Sequence, residues 1–341
     1  MIIKKIQDNL MKARVNACLL FFSDPNFFYV MGREVDESAL LIPKNGKPTL
    51  FVNALEDVKT DFKKVVYKKL FERIKRVVKH KKIFVLGINE SKVSVKQKRL
   101  LNKFVRTKNV ESIFQQARKI KTNSEINKIK TSCSLAELIL QKIVDNFNFE
   151  YEDDVRKFIK LEAIKLGCQL SFEPIVASGK NSRIPHYSGN QKMRGGFLIL
   201  DFGLKYKGYC SDISRTVYIG TPSNKELSIY NFILEIQKEA IKMLKPGVDI
   251  RIIEEFVRNR LGHYSKQFTH SLGHGLGVEI HELPNVNLTS KDVLREGMVI
   301  TIEPGIYKDF GIRIEDDILI TKKGTKSLTT FDKSLIIIPK V

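Results

Sequence analysis

The sequence is short of the features that staple or anchor a chain. Its four cysteines, Cys18, Cys133, Cys168 and Cys210, lie far apart with no C-x-x-C pair, which argues against a disulfide framework or a zinc knuckle and fits a reducing cytoplasm. No apolar run approaches the ~18 residues of a membrane span. Near the start only Ala17 to Phe22 is continuously apolar, and it is strand-length and preceded by basic residues up to Arg14, so neither a secretion signal nor membrane insertion is expected. There is no internal repeat, and no low-complexity tract beyond lysine enrichment. Acidic residues are scarce in the first third: residues 1–124 hold 28 Lys or Arg against 11 Asp or Glu, a balance of +17, while the rest of the chain carries +4 of the total +21.

That surplus raises the question of a nucleic-acid partner. Much of it lies in residues 62–82, "FKKVVYKKLFERIKRVVKHKK", with ten basic residues and one acid. Phe62, Val66, Leu70, Ile74, Val77 and Val78 recur at helical spacing, so the lysines read as the solvated side of an amphipathic helix. A basic face without a binding motif is weak evidence, and nucleic acid is not an expected partner.

With 341 residues and 43% hydrophobic content, the chain has the length and the apolar surface for two cores. Residues 1 to about 115 alternate helix-like and strand-like segments, with "ACLLFF", "SALLIP", "PTLFVN" and "KIFVLG" as short strands, and read as an α/β domain with little polar chemistry. At "TNSE", Thr122 stands three residues before Glu125, a capping box that opens a long helix. The domain boundary is therefore expected near residue 117. Further helices are expected over about 153–166, 225–244 and 250–261, with a Gly/Ser/Asn/Pro loop carrying His186 and a final hairpin near 297–321.

Chemistry concentrates in this second part. In "LILDFGLKYKGYCSD" a buried strand runs into Asp201, and an ionised carboxylate there needs a partner or a metal. If the "KYKG" turn centres between Tyr206 and Lys207, Asp201 falls opposite Asp212, and facing carboxylates repel unless a cation is shared; a bulge would shift that register. The last hairpin repeats the pattern, with Glu303 in "MVITIEPGIY" and Glu315 in "GIRIEDDILIT". Arg313, Glu315 and Asp317 share one strand face, so Arg313 can orient a neighbouring carboxylate, or simply pair with one at the surface if the strand lies on an edge. In "HSLGHGLGVEIHE" the glycines argue against a helical His270/His274 pair and favour an irregular segment that aims an imidazole from close quarters. Four carboxylates and one histidine form an oxygen-rich set suited to manganese, cobalt or iron, and able to accept zinc; four negative charges balance two divalent cations.

These residues carry a specific resemblance. "SFEPIVASGKNSRIPHY", "LILDFGLKYKGYCSDISRTVYIG", "HSLGHGLGVEIHELP" and "LREGMVITIEPGIYKDFGIRIEDDILIT" resemble the successive signatures of the pita-bread metallopeptidases, the Xaa-Pro aminopeptidases and prolidases. The first 115 residues are similar to their creatinase-type N-terminal domain. That domain and the "GIRIED" strand set methionine aminopeptidases aside. The resemblance implies an α+β protein: a creatinase-like α/β domain at 1–117, then a pita-bread catalytic domain at 118–341. It implies Asp201, Asp212, His274, Glu303 and Glu315 as ligands of two divalent metal ions, manganese first, with Asp212 and Glu315 bridging. His186, His270 and His281 would line the substrate cleft, with Tyr307 a further cleft residue, Glu303 would relay a proton and Arg313 would support the ligands.

The implied activity is removal of the first residue from short peptides with proline second, that of an Xaa-Pro aminopeptidase, with an Xaa-Pro dipeptidase as the alternative. A homodimer is also implied. A metal-free binding protein and creatinase-like C–N hydrolysis are set aside because every ligand position is intact. Arg183, where the family has a small residue, is the one departure near the cleft.

Overall fold

The computed structural model describes residues 2–339, and the chain divides into two compact units, Met1–Arg118 and Lys119–Val341. The four apolar runs of the first unit become strands of one six-stranded mixed sheet. In spatial order its strands are Lys63–Tyr67, Thr49–Asn53, Ala39–Pro43, Ala17–Phe21, Val85–Ile88 and Arg106–Asn109. Ala17–Phe21, Ala39–Pro43 and Thr49–Asn53 form an antiparallel meander, and the other neighbours run parallel. The central strands are apolar on both sides because both faces are covered by helices. Alternation sends Cys18, Leu20 and Leu40 to pack with Ile6, Leu10 and Phe114, and sends Leu19, Phe21 and Leu41 toward Ile74, Val78 and Leu101.

The lysine-rich segment departs from the expectation of one helix. Lys63–Tyr67 is an edge strand beside Thr49–Asn53, with Val65 turned inward and Val66 exposed, and the helix is confined to Leu70–His80. Adjacent β-branched valines followed by tyrosine favour strand over helix, and lysines on the outer edge discourage pairing with another chain. Within the helix the amphipathic reading stands: Ile74 and Val78 are buried, and Arg73, Lys75, Arg76 and Lys79 are exposed.

The second unit has two halves of similar construction. Helices Asn123–Asp145 and Glu152–Lys165 pack on a four-stranded sheet ordered Ile337–Ile338, Ile213–Ile219, Gly196–Phe202, Ile175–Ser178. Helices Asn224–Met243 and Ile250–Leu261 pack on a five-stranded antiparallel sheet ordered Glu282–Val286, Gly273–Gly275, Val299–Ile302, Asp316–Thr321, Gly324–Ser327. The long first helix starts at the capping box, where Glu125 accepts from the Thr122 amide at 2.8 Å.

The two sheets meet along a polar seam. Glu315 donates its amide to Ser214 O at 3.1 Å, and the Arg313 amide donates to Thr216 Oγ1 at 3.0 Å. This seam brings the two acid-bearing segments of the sequence to one place.

Candidate metal centre

A cavity of about 620 Å³ opens over the seam, within the ~300–1,000 Å³ range of small-ligand sites. His186, Asp201, Asp212, His270, His274, His281, Glu303, Arg313 and Glu315 all line it. The structure therefore gathers these nine residues around one cavity, although the register that brings them there differs in one place; Tyr307, expected as a further cleft residue, is not among the lining residues and sits behind them, bonded to His270 and Arg313.

Asp201 lies opposite Ser214, not opposite Asp212. Lys207 and Gly208 both take positive φ, at 46° and 81°, so the turn is a two-residue primed turn centred on that pair, as the strands' right-handed twist favours. The centre moves by one residue and the pairing by two. Because the side-chain period is two, Asp201 and Asp212 still share a face, as diagonal neighbours. In the other hairpin, Ile302 pairs with Asp316 and Gly305 with Arg313, which sets Glu303 and Glu315 face to face.

His274 sits in a short strand, Gly273–Gly275, with a register shift after it, in place of the irregular segment expected. An added Cβ at Gly273 would strike Thr301 O, and one at Gly275 would strike Leu283 O, so only glycine lets this strand pack so closely. His274 Nδ1 donates to Gly275 O at 3.1 Å. That tautomer leaves Nε2 with a lone pair, 3.7 Å from Asp212 Oδ2 and 3.6 Å from Glu303 Oε1. A carbonyl partner on the far nitrogen is the usual device for orienting a metal-binding imidazole.

The acids are held from behind. Ser214 Oγ donates to Glu315 Oε2 at 2.9 Å, Thr301 Oγ1 donates to Glu303 Oε1 at 3.3 Å, and the Asp212 amide donates to Asp317 Oδ2 at 2.9 Å. Arg313 reaches across to Asp201, not to Glu315 or Asp317 that follow it in sequence, and also donates to Ser214 Oγ and to Tyr307 Oη at 2.8 Å. Tyr307 Oη in turn donates to His270 Nε2 at 2.9 Å, since His270 Nδ1 donates to Ser271 O. His281 stacks edge-on to His274 with ring centroids 4.4 Å apart.

Ser214, Thr301 and Ser271 were not singled out from the sequence. Ser214 and Thr301 stand two residues from Asp212 and Glu303 on the same strand faces, so alternation could have flagged them; the Ser271 contact is through backbone and leaves no side-chain signal.

The electrostatics of this cluster are those of a site short of positive charge. Burial, then Glu315, pushes the Asp212 carboxyl well above the usual carboxylate range. Burial, then Glu303, does the same to Glu315, and burial raises Glu303 to about 8. The histidines move the other way: burial, then His281, lowers His274 to about 3, and burial, then Arg313, lowers His270 to about 4. Among the described residues, the buried side-chain polar atoms with no hydrogen-bond partner include Oδ1 of both Asp201 and Asp212. Ligand atoms of Asp212, His274 and Glu315 lie within 4.8 Å of one another. Unpartnered carboxylate oxygens around a preoriented Nε2 lone pair fit divalent metal ions.

Such a donor set fits a divalent metal centre, and comparison with known proteins says of which kind. Residues 127–322 match the model of metallopeptidase family M24, and residues 3–120 that of the creatinase/prolidase N-terminal domain. The chain is 34% identical to an Xaa-Pro dipeptidase of Pyrococcus horikoshii, covering 98% of each. Among solved structures it resembles an Xaa-Pro dipeptidase from Bacillus anthracis, at 30% identity and TM-score 0.93 over 99% of each chain. It also resembles an X-Pro aminopeptidase from Thermotoga maritima, at 30% identity and TM-score 0.88 over 95% of this chain and 98% of that one. The chain belongs to metallopeptidase family M24, whose members depend on a dinuclear metal centre. It is a metallopeptidase with a creatinase-type N-terminal domain followed by a pita-bread catalytic domain. Among the described residues, no helix is long and apolar enough to cross a membrane.

Proposed function

We propose that this metallopeptidase is a dipeptidase acting on peptides with proline in the second position. The observation that carries the reading is the buried acid cluster around His274, in a chain whose near-full-length relatives from two Pyrococcus species are named Xaa-Pro dipeptidases. This support moves the preference from the aminopeptidase expected from the sequence to its dipeptidase alternative.

Asp201, Asp212, His274, Glu303 and Glu315 would hold two divalent ions, manganese first, and so oxygen-rich a set would also accept cobalt, zinc or iron. When bound, such ions polarise a peptide carbonyl and make water a competent nucleophile near neutral pH. Glu303, ionised as a ligand, accepts the proton that the attacking water gives up and passes it toward the departing proline nitrogen. His281, kept neutral by burial, donates toward the carbonyl oxygen as charge grows there. His186 and His270 bound the proline ring, and the Arg313–Tyr307–His270 chain fixes the second of them. A prolyl amide has no N–H to offer, so recognition must fall on the ring and the chain ends. A short peptide is thus the partner, and the homodimer and cytoplasmic setting implied by the family resemblance belong to the same proposal.

The test is hydrolysis of Ala-Pro and Ala-Pro-Ala by the manganese-loaded protein, with Asp212→Ala as control. Cleavage of the dipeptide alone is expected. Preference for the tripeptide would return the assignment to an aminopeptidase, and cleavage of neither would refute both.

A further inference from the structure

A dipeptidase differs from an aminopeptidase in what it does with the proline carboxylate, and nothing described so far binds that group. Two guanidinium groups line the cavity, Arg313 and Arg156. Arg313 is committed: it donates through Nε to Ser214 Oγ, through Nη1 to Pro185 O and Tyr307 Oη, and through Nη2 to Asp201. A substrate anion drawing on it would compete with the acid it supports.

Arg156 is different. It projects from helix Glu152–Lys165, with its side chain only 7% exposed. Nε donates to Pro174 O at 3.2 Å and Nη2 to Val176 O at 2.9 Å, which clamps the guanidinium to the Ile175–Ser178 segment. Nη1 donates to Asp153 Oδ1 at 2.6 Å, and the group lies 5.8 Å from the centre of the Tyr187 ring, next to His186. Three of its five N–H donors are thus spent. One remains on each terminal nitrogen, the pair that a carboxylate accepts in a forked, end-on arrangement. The clamp also removes most of the entropy that a free arginine would lose on binding. Phe172, Pro174, Ile175 and Tyr187 line the cavity with it, as do two acids outside the cluster: Asp153 is the partner of Nη1, and Glu173 is paired with Lys160.

We propose that Arg156 is the specificity-determining residue of this enzyme, receiving the free C-terminal carboxylate of an Xaa-Pro dipeptide in the cavity. The inference rests on the dipeptidase reading above. Asp153 tempers the site: it holds the guanidinium in place while competing with the substrate for it, so affinity is moderate and product proline can leave.

The experiment compares Ala-Pro with Ala-Pro-amide, which keeps the scissile bond and loses the charge. Manganese-loaded wild-type protein should prefer the acid by about 10- to 100-fold in kcat/KM, the range of a charge-assisted hydrogen bond. In Arg156→Gln that ratio should collapse toward one, chiefly through KM for Ala-Pro, and Arg156→Lys should restore part of it. Asp153→Asn, a change at a half-exposed side chain, should lower KM for the acid and not for the amide, which tests the idea even if Arg156 variants fold poorly. A preference for the acid that survives in Arg156→Gln, with no response to Asp153→Asn, would overturn the assignment of Arg156 and leave the dipeptidase reading standing. Cleavage of neither substrate by the wild-type protein would overturn both.

Discussion

Metal uptake should expel protons, and their number can be worked from the cavity. Without cations, burial and mutual repulsion push Asp212 and Glu315 well above the usual carboxylate range and burial raises Glu303 to about 8, so near neutrality the cluster retains protons. His274, at about 3, holds none. Ligation requires the ionised acids, so loading near pH 7 should release on the order of one proton or more, and apparent affinity should climb by a similar number of decades per pH unit. The protons are shared across the cluster, so the count belongs to the set and not to one residue. Titration calorimetry of manganese into stripped protein, run in phosphate and in Tris, reads the number from the difference in enthalpy.

Stability follows the same protons. For Glu303 the folded value, about 8, lies above the ordinary 4.5. Its contribution to the stripped fold is therefore complete below the ordinary value and is lost as pH rises through about 8. In the loaded protein the ionised acids are compensated, and that loss is absent. Melting temperatures of stripped and loaded protein should diverge as pH is raised across this window. Release of less than about half a proton near pH 7, or melting curves that stay parallel, would refute the reasoning.

Other outcomes follow from named contacts. Ser214→Ala removes the hydroxyl shared by Glu315 and Arg313 and should weaken metal affinity by about 10- to 100-fold, measured by chelator competition. Tyr307→Phe breaks the link between Arg313 and His270 and leaves one donor on Arg313 Nη1 and the acceptor His270 Nε2 unmatched; a loss of about 1–3 kcal/mol in urea denaturation is expected, with a fall in kcat/KM and little change in metal stoichiometry. Glu152→Ala strands the Ser178 amide and hydroxyl, the Asn181 amide group and the Gln191 amide. It should cost about 3 kcal/mol or more and expose the 179–191 segment to proteolysis, whereas unchanged cleavage kinetics would deny the clamp.

Much of this was legible in the sequence because its signals are local. The Thr122/Glu125 capping box begins the expected helix, and the four apolar runs of the first unit are strands. Glu303 and Glu315 oppose each other as their positions in successive strands suggest. The misjudged features depend on competition or on distance. Residues 62–69 fit helical spacing, yet two adjacent valines beside an available sheet edge made a strand. The Asp201 hairpin was misregistered because turn geometry at Lys207 and Gly208, not strand composition, sets pairing. Arg156 gave no sign at all: its role depends on carbonyls 18 and 20 residues away, which no periodicity can reveal.

The Glu152 carboxylate touches both ends of the segment that carries His186, Ser178 at its start and Gln191 at its finish. The residues between are consequently a cassette with fixed feet. Apart from Ser182, whose hydroxyl accepts from the Gly311 amide, Pro185, whose carbonyl takes a bond from Arg313, and His186, their number and chemistry can drift, reshaping the mouth of the cavity, while the catalytic floor stays still. A lineage, or an engineer, wishing to retune which peptides enter has a place to do so that leaves the acids on the strands beneath undisturbed.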